Sequence, residues 1–132
     1  MGLDIRVIYG DTDQMGVVYY ANYLRYFEAA RSNFLRERGR SYRDFERNGV
    51  LLPVVEAHVR YHVPARYEDV IHVEPTIVAV KGASLTFEYR VTRGSELVAT
   101  GSTVHACIDQ KSGRPTRFPP EIRALLQDQG GI

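Results

Sequence analysis

Two hydrophobic periods divide this chain. Leu3, Ile5, Val7 and Tyr9 alternate with Asp4, Arg6 and Ile8, the step of a strand with one face buried. From Tyr20 the step lengthens. Tyr20, Tyr23, Leu24, Phe27, Ala30 and Phe34 recur every three or four residues, while Arg25, Glu28, Ser32 and Arg36 fall elsewhere on the wheel. This pattern predicts one long helix that opens between Val17 and Tyr23, with Asn22 as candidate N-cap, and stops at Gly39. Ser41 caps a short polar helix to Arg47. Alternation then returns in Val55, Ala57, Val59, Tyr61 and Val63 and ends at Pro64-Ala65-Arg66. A strand from Asp69 to Val80 carries Pro75, the mark of an edge or a bulge. Leu85, Phe87, Tyr89 and Val91 mark the next strand, the Arg93-Gly94-Ser95-Glu96 turn follows, and Val98 to Ile108 forms the last, closed by Lys111-Ser112-Gly113. Pro119-Pro120 starts a C-terminal helix to about Gln127.

One long helix between a first strand and four hairpin-connected strands predicts an α+β fold in which a curved antiparallel five-stranded sheet wraps around the helix. With 132 residues, 44% of them hydrophobic, residues 1–132 make a single domain with a real core. The sheet's free edges and second face would be covered most simply by another copy, so a homodimer or homotetramer is expected. Charge changes the picture little: 17 basic against 16 acidic side chains give +1, which points to neither nucleic acid nor a membrane surface. A single cysteine, Cys107, rules out an internal disulfide and a multi-cysteine metal site. Strand alternation starts at once, leaving no room for a signal sequence, and no long apolar run supplies a membrane span. The expectation is a cytoplasmic protein.

The chemistry concentrates in Tyr9 to Tyr23, YGDTDQMGVVYYANY. Gly10 and Gly16 bracket a polar turn that runs into the helix, whose first N–H groups lack intrahelical acceptors and carry partial positive charge. An acyl oxygen suits that position, and Asp13 is placed to offer a carboxylate on the other side of a bound carbonyl. Asp11 and Asp13 are equally good turn-formers and caps on pattern alone.

The motif DTDQMGVVYYANY with FEAAR at 27–31, supported by VRYHVPARYEDVI at 59–71, GASLTFEY at 82–89 and SGRPTRFP at 112–119, resembles the hot-dog fold thioesterases. The resemblance covers most of the chain and is to the 4-hydroxybenzoyl-CoA thioesterase family, in particular its Tol-Pal-associated acyl-CoA thioesterase branch. It implies a thioester hydrolase in which the second aspartate, Asp13, is the catalytic carboxylate, acting as base or nucleophile. It also implies that backbone N–H groups from Gly16 through Val17 and Tyr19 to Tyr20 polarise the thioester carbonyl. Tyr19 stands where the aromatic member of the family has tryptophan, so the acyl group stays open among short-chain, medium-chain and aromatic. Nucleotide contacts are implied around Lys81 and Ser84, with Arg66, Arg114 and Arg117 as further loop cations. No cofactor is expected beyond coenzyme A as part of the substrate.

Competing readings are weaker on residue chemistry. D-x-D-x-x-G mimics a calcium loop, but Met15 stands where an oxygen ligand is needed and Asn22 where a bidentate glutamate is. His58 and His62 have zinc-like spacing, yet on a strand that step is ~13 Å, too long for one metal. A hot-dog hydratase needs a histidine paired with an acid, and no histidine precedes His58. A non-catalytic acyl-binding or assembly module is compatible with the same pocket. Asp11 is assigned a structural role, hydrogen-bonding the loop's own amides, and Cys107 that of a core thiol.

Overall fold

The computed structural model describes residues 2–39 and 41–127. Strand β1 (Leu3–Arg6) leads through a 3-10 turn at Tyr9–Asp11 into helix α1 (Asn22–Glu37) and the short α2 (Tyr42–Arg47). Strands β2 (Val50–Leu51), β3 (Val54–Tyr61), β4 (Val70–Val80), β5 (Ser84–Arg93), β6 (Glu96–Ala106) and β7 (Ile108–Asp109) follow, and α3 (Pro120–Gln127) ends the described chain. The main sheet is five-stranded and antiparallel in the order β1-β4-β5-β6-β3, while β2 and β7 form a separate pair. This is the expected α+β architecture.

The sheet packs against α1 along its alternate residues. Ile71, Val73 and Ile77 of β4, Leu85, Phe87, Tyr89 and Val91 of β5, and Ala99, Thr103 and His105 of β6 are buried, and α1 meets them with Tyr23, Tyr26, Phe27, Ala30, Phe34 and Leu35. Phe27 stacks on Tyr89 at 4.2 Å and Phe34 meets Phe87 edge-on at 5.8 Å. Gly101 makes the close approach of helix to sheet. A Cβ there would lie 2.4 Å from the Phe27 ring and 2.6 Å from the His58 carbonyl oxygen, so only glycine leaves room. The opposite face of the sheet carries Asp4, His72, Glu74, Glu88, Arg90, Arg60 and His58 and suits water as it stands.

Several expectations shift in detail. Tyr9 is 77% exposed because the alternation of β1 ends at Val7, where the chain leaves the sheet for the 3-10 turn. Tyr20 and Leu24 lie exposed beside β3, and the buried stripe instead takes in Tyr26 and Arg31. Asn22 is the first helical residue rather than the cap, Ala21 preceding it. Its amide donates to the Asp11 carbonyl at 2.9 Å. Ser41 does cap α2, in a capping box with Asp44. Pro75 sits past the end of β1, where β4 has no partner on that side, two residues before the bulge at Ile77/Ala79.

A buried polar chain runs between α1 and the sheet, and the period-based reading missed it. Arg31 donates to the Tyr89 hydroxyl at 3.0 Å, Tyr89 lies 2.6 Å from the Thr103 hydroxyl, Thr103 lies 2.9 Å from His105 Nε2, and His105 Nδ1 lies 3.1 Å from the Leu52 carbonyl. One direction satisfies every donor: each hydroxyl donates toward His105, and Nδ1–H donates to Leu52. Burial pushes His105 down to about 4, so the neutral ring that this pattern requires is the stable form.

Candidate active site

The loop from Asp11 to Ala21 is fixed from both sides. Asp11, 5% exposed, accepts from the Tyr26 hydroxyl at 2.8 Å and forms an ion pair with Arg25, so its carboxylate clamps the loop to the first turns of α1. Its carbonyl accepts from Tyr19 N at 2.9 Å. Burial, and then the Asp11 contact, push the Tyr26 phenol well above its ordinary value, keeping it a donor. The structural role of Asp11 therefore works through side chains of the helix and not, as expected, through the loop's amides.

It is Asp13 that organises the amides. Its Oδ1 accepts from Met15 N at 2.8 Å and Val17 N at 3.4 Å, an Asx turn closed by Gly16 N to the Asp13 carbonyl at 3.0 Å. Gly16 takes φ +81°, the left-handed region in which a side chain would be strained. Asp13 Oδ2 has no hydrogen-bond partner among the described residues, and Asp13 lines a cavity of about 290 Å³ with Met15, Val17, Tyr20, Tyr23 and Tyr61. The cavity is mostly apolar, with this carboxylate at its rim.

Of the N–H groups at the helix entrance, most are already used. Gly16 N bonds Asp13, Val17 N bonds Asp13 Oδ1, Val18 N bonds Ala65 and Tyr19 N bonds Asp11, so these four are not free donors. The N–H groups of Tyr20 and Ala21 have no acceptor among the described residues and head α1. Of the N–H groups expected over Gly16 to Tyr20, that of Tyr20 alone lacks an acceptor among the described residues, while Val17 and Tyr20 both line the cavity. Tyr19 is exposed, its ring 4.6 Å from Tyr20 and outside the cavity lining.

The five basic or polar candidates separate. Arg66 lies at the same end as Asp13, its backbone bridged to Val17. Lys81 and Ser84 flank the turn at the far end of β4, with Lys81 N donating to the Ser84 carbonyl at 2.8 Å. Arg117 is beside Gly82, and Arg114 belongs to the loop that follows β7. Arg123, which the sequence reading passed over, donates to the Lys81 carbonyl at 2.8 Å. The 11-residue β4 runs between the two ends, Lys81 following its last residue and Arg66 preceding its first. Tyr61 was also passed over, although its inward phase on β3 was the signal that places it over the helix entrance. His62 borders the cavity, but its Nε2 lies 3.3 Å from Thr100 Oγ1 on the opposite face of the sheet. Cys107 is buried, and burial raises its thiol.

A five-stranded antiparallel sheet packed on one long helix, with a polar loop and an apolar cavity at the helix entrance, is the layout of a hot-dog protein. Comparison with known proteins agrees. The model of the thioesterase-like superfamily matches residues 7–126, and the chain belongs to that superfamily. An acyl-CoA thioesterase YbgC from Haemophilus influenzae is 36% identical over 123 residues, covering 92% of this chain and 90% of the relative, which agrees with the branch resembled by the loop motif. Among solved structures, the Thermus thermophilus protein TT1821 superposes with a TM-score of 0.90 at 39% identity, covering 95% of both chains. A DHNA-CoA thioesterase from Staphylococcus aureus does so with 0.88 at 30% identity, covering 94% of this chain and 86% of the other.

Proposed function

We propose that this protein hydrolyses acyl-CoA thioesters, with Asp13 as the catalytic carboxylate and the Tyr20 and Ala21 N–H groups as the oxyanion donors. The observation that carries this reading is the open Asp13 Oδ2 at the rim of a mostly apolar cavity. In the reaction the thioester carbonyl oxygen accepts from the free N–H groups, and its carbon is attacked by water deprotonated by Asp13 or by Asp13 itself. Charge on the oxygen grows as the tetrahedral intermediate forms, and preorganised donors stabilise it more than the ground state. The C–S bond then breaks, the thiolate takes up a proton, and free acid and coenzyme A leave; if Asp13 attacks, water cleaves the acyl-enzyme anhydride in a second step. At about 290 Å³ the cavity is small for a ligand pocket and suits the acyl group rather than the whole of acyl-CoA.

The nucleotide end supports a homodimer. Lys81 follows the end of the 11-residue β4, whereas Arg66, at the Asp13 end, precedes its start, so coenzyme A held at both ends in one protomer would have to run the length of that strand, ~33 Å if fully extended. Strand β3 ends the sheet, with Val54 and Val55 exposed, so its edge, unpaired among the described residues, is the surface for a second copy. In such a dimer the acyl end is held by one protomer and the nucleotide cations come from the other. The two relatives named above act, by their names, on acyl-CoA and on DHNA-CoA, so the acyl class is best read from a panel. Thiol release from short-chain, medium-chain and aromatic acyl-CoA should be enzyme-dependent for at least one class. No release from any class, with the protein folded, would leave the acyl-binding module as the reading.

A further inference from the structure

Tyr61 ties the free edge strand to the helix entrance. Its ring stands edge-on to Tyr23 at 5.4 Å and to Tyr20 at 6.5 Å, and its hydroxyl donates to the Tyr20 carbonyl at 3.0 Å. That carbonyl also accepts from Tyr23 N at 3.4 Å and so points along α1. The same trans peptide carries the Ala21 N–H, which points the other way, off the N-terminal end of the helix. We propose that Tyr61 is a positioning residue for thioester hydrolysis: by donating to the Tyr20 carbonyl it fixes and polarises the Tyr20–Ala21 peptide, making the Ala21 N–H a better oxyanion donor. The inference rests on the function proposed above. Two further observations support it.

Hydrogen bonds in series strengthen one another, so a donor on the C=O side of a peptide increases the acidity of its N–H. Tyr61 is also the only side chain that donates to the Tyr20 carbonyl among the described residues. Burial, with Tyr20 adding to it, raises the Tyr61 phenol above its usual value, so the hydroxyl remains a donor through neutral pH. The ring's packing and the hydroxyl's role are separable, because phenylalanine keeps the first and deletes the second.

The test is Tyr61→Phe in the full-length protein, assayed for thiol release on an acyl-CoA that the wild type hydrolyses. The expected result is a fall in kcat of about five- to tenfold, weakening rather than removing an oxyanion donor, with KM within about twofold and an unchanged melting temperature. In ¹⁵N-labelled protein the Ala21 amide proton should move upfield. A fluorinated tyrosine at position 61, a more acidic phenol of nearly the same shape, should move an alkaline fall in kcat to lower pH. Wild-type kcat in Tyr61→Phe, or an Ala21 amide that does not move, overturns the role and leaves the proposed hydrolysis standing. A variant that melts early and loses kcat and KM together makes Tyr61 a packing residue and likewise overturns it. A wild type that releases no thiol at all removes the proposed function, and this role with it.

Discussion

Replacing Asp13 by asparagine isolates the chemistry from the loop. Asp13 Oδ1 holds Met15 N at 2.8 Å and Val17 N at 3.4 Å, and the asparagine carbonyl oxygen takes over both. The Asx turn therefore survives, with the loss of charge assistance costing under ~1 kcal/mol of stability. The other oxygen, Oδ2, has no partner to lose among the described residues, and it becomes an NH₂ that neither accepts a proton from water nor attacks a carbonyl. A positioned general base contributes roughly 10²–10⁴-fold, equivalent to about 3–5 kcal/mol of barrier. Asp13→Asn should lower kcat by that factor while KM stays near the wild-type value, because the cavity walls and free N–H groups are untouched. Thiol release under saturating acyl-CoA gives kcat, and thermal melting alongside it reports the loop. A variant within tenfold of wild-type kcat would refute the assignment; a loss matched by early melting would refute the claim that the amide keeps the turn.

Four further outcomes follow from the geometry. Asp11→Asn weakens the Tyr26 hydrogen bond and the pair with half-exposed Arg25, and should cost about 2 kcal/mol, lowering the melting temperature by roughly 5–8 °C, whereas an unshifted melt would remove Asp11 as the loop clamp. Gly101→Ala puts a methyl group against the Phe27 ring and the His58 carbonyl and should cost about 1–3 kcal/mol by denaturant melt; a neutral effect would mean that α1 can shift off the sheet. His72 bridges Asp4 at 2.7 Å and Glu74 at 2.8 Å, and the Glu74 contact, then Asp4, raise it above the usual histidine range. That stabilisation is full below about pH 6.5 and is lost as pH rises through the raised value. The gap in melting temperature between wild type and His72→Asn should therefore close between slightly acidic and alkaline pH, and a constant gap would contradict the bridge. Lys81→Ala should raise KM for acyl-CoA with kcat nearly unchanged, and an equal loss on a thioester lacking the nucleotide would take Lys81 out of the substrate site.

What the residues alone determined is what depends on period and local chemistry. The 3.6-residue recurrence of Tyr23, Phe27, Ala30 and Phe34 can bury only along one helical stripe, and the alternation in the later strands can bury only on one face of a sheet. The helix limits at Ser41, Gly39 and Pro120 are written in capping chemistry, and the loop motif carries its family resemblance in consecutive residues. What only tertiary structure decided is which polar atoms are already used. Asp11 and Asp13 read alike as turn-formers, yet Arg25 and Tyr26, 14 and 15 residues on, claim one carboxylate and leave an oxygen of the other open. Likewise Val17, Val18 and Tyr19 spend their N–H groups on Asp13, Ala65 and Asp11, so the N–H groups there without an acceptor among the described residues are those of Tyr20 and Ala21. The contacts of Arg31 with Tyr89, of His105 with the Leu52 carbonyl and of Tyr61 with the Tyr20 carbonyl join residues 58, 53 and 41 positions apart. Such pairings are set by how α1 lies across β3, β5 and β6, because a hydrogen bond depends on distance and direction in space, to which hydrophobic period is blind.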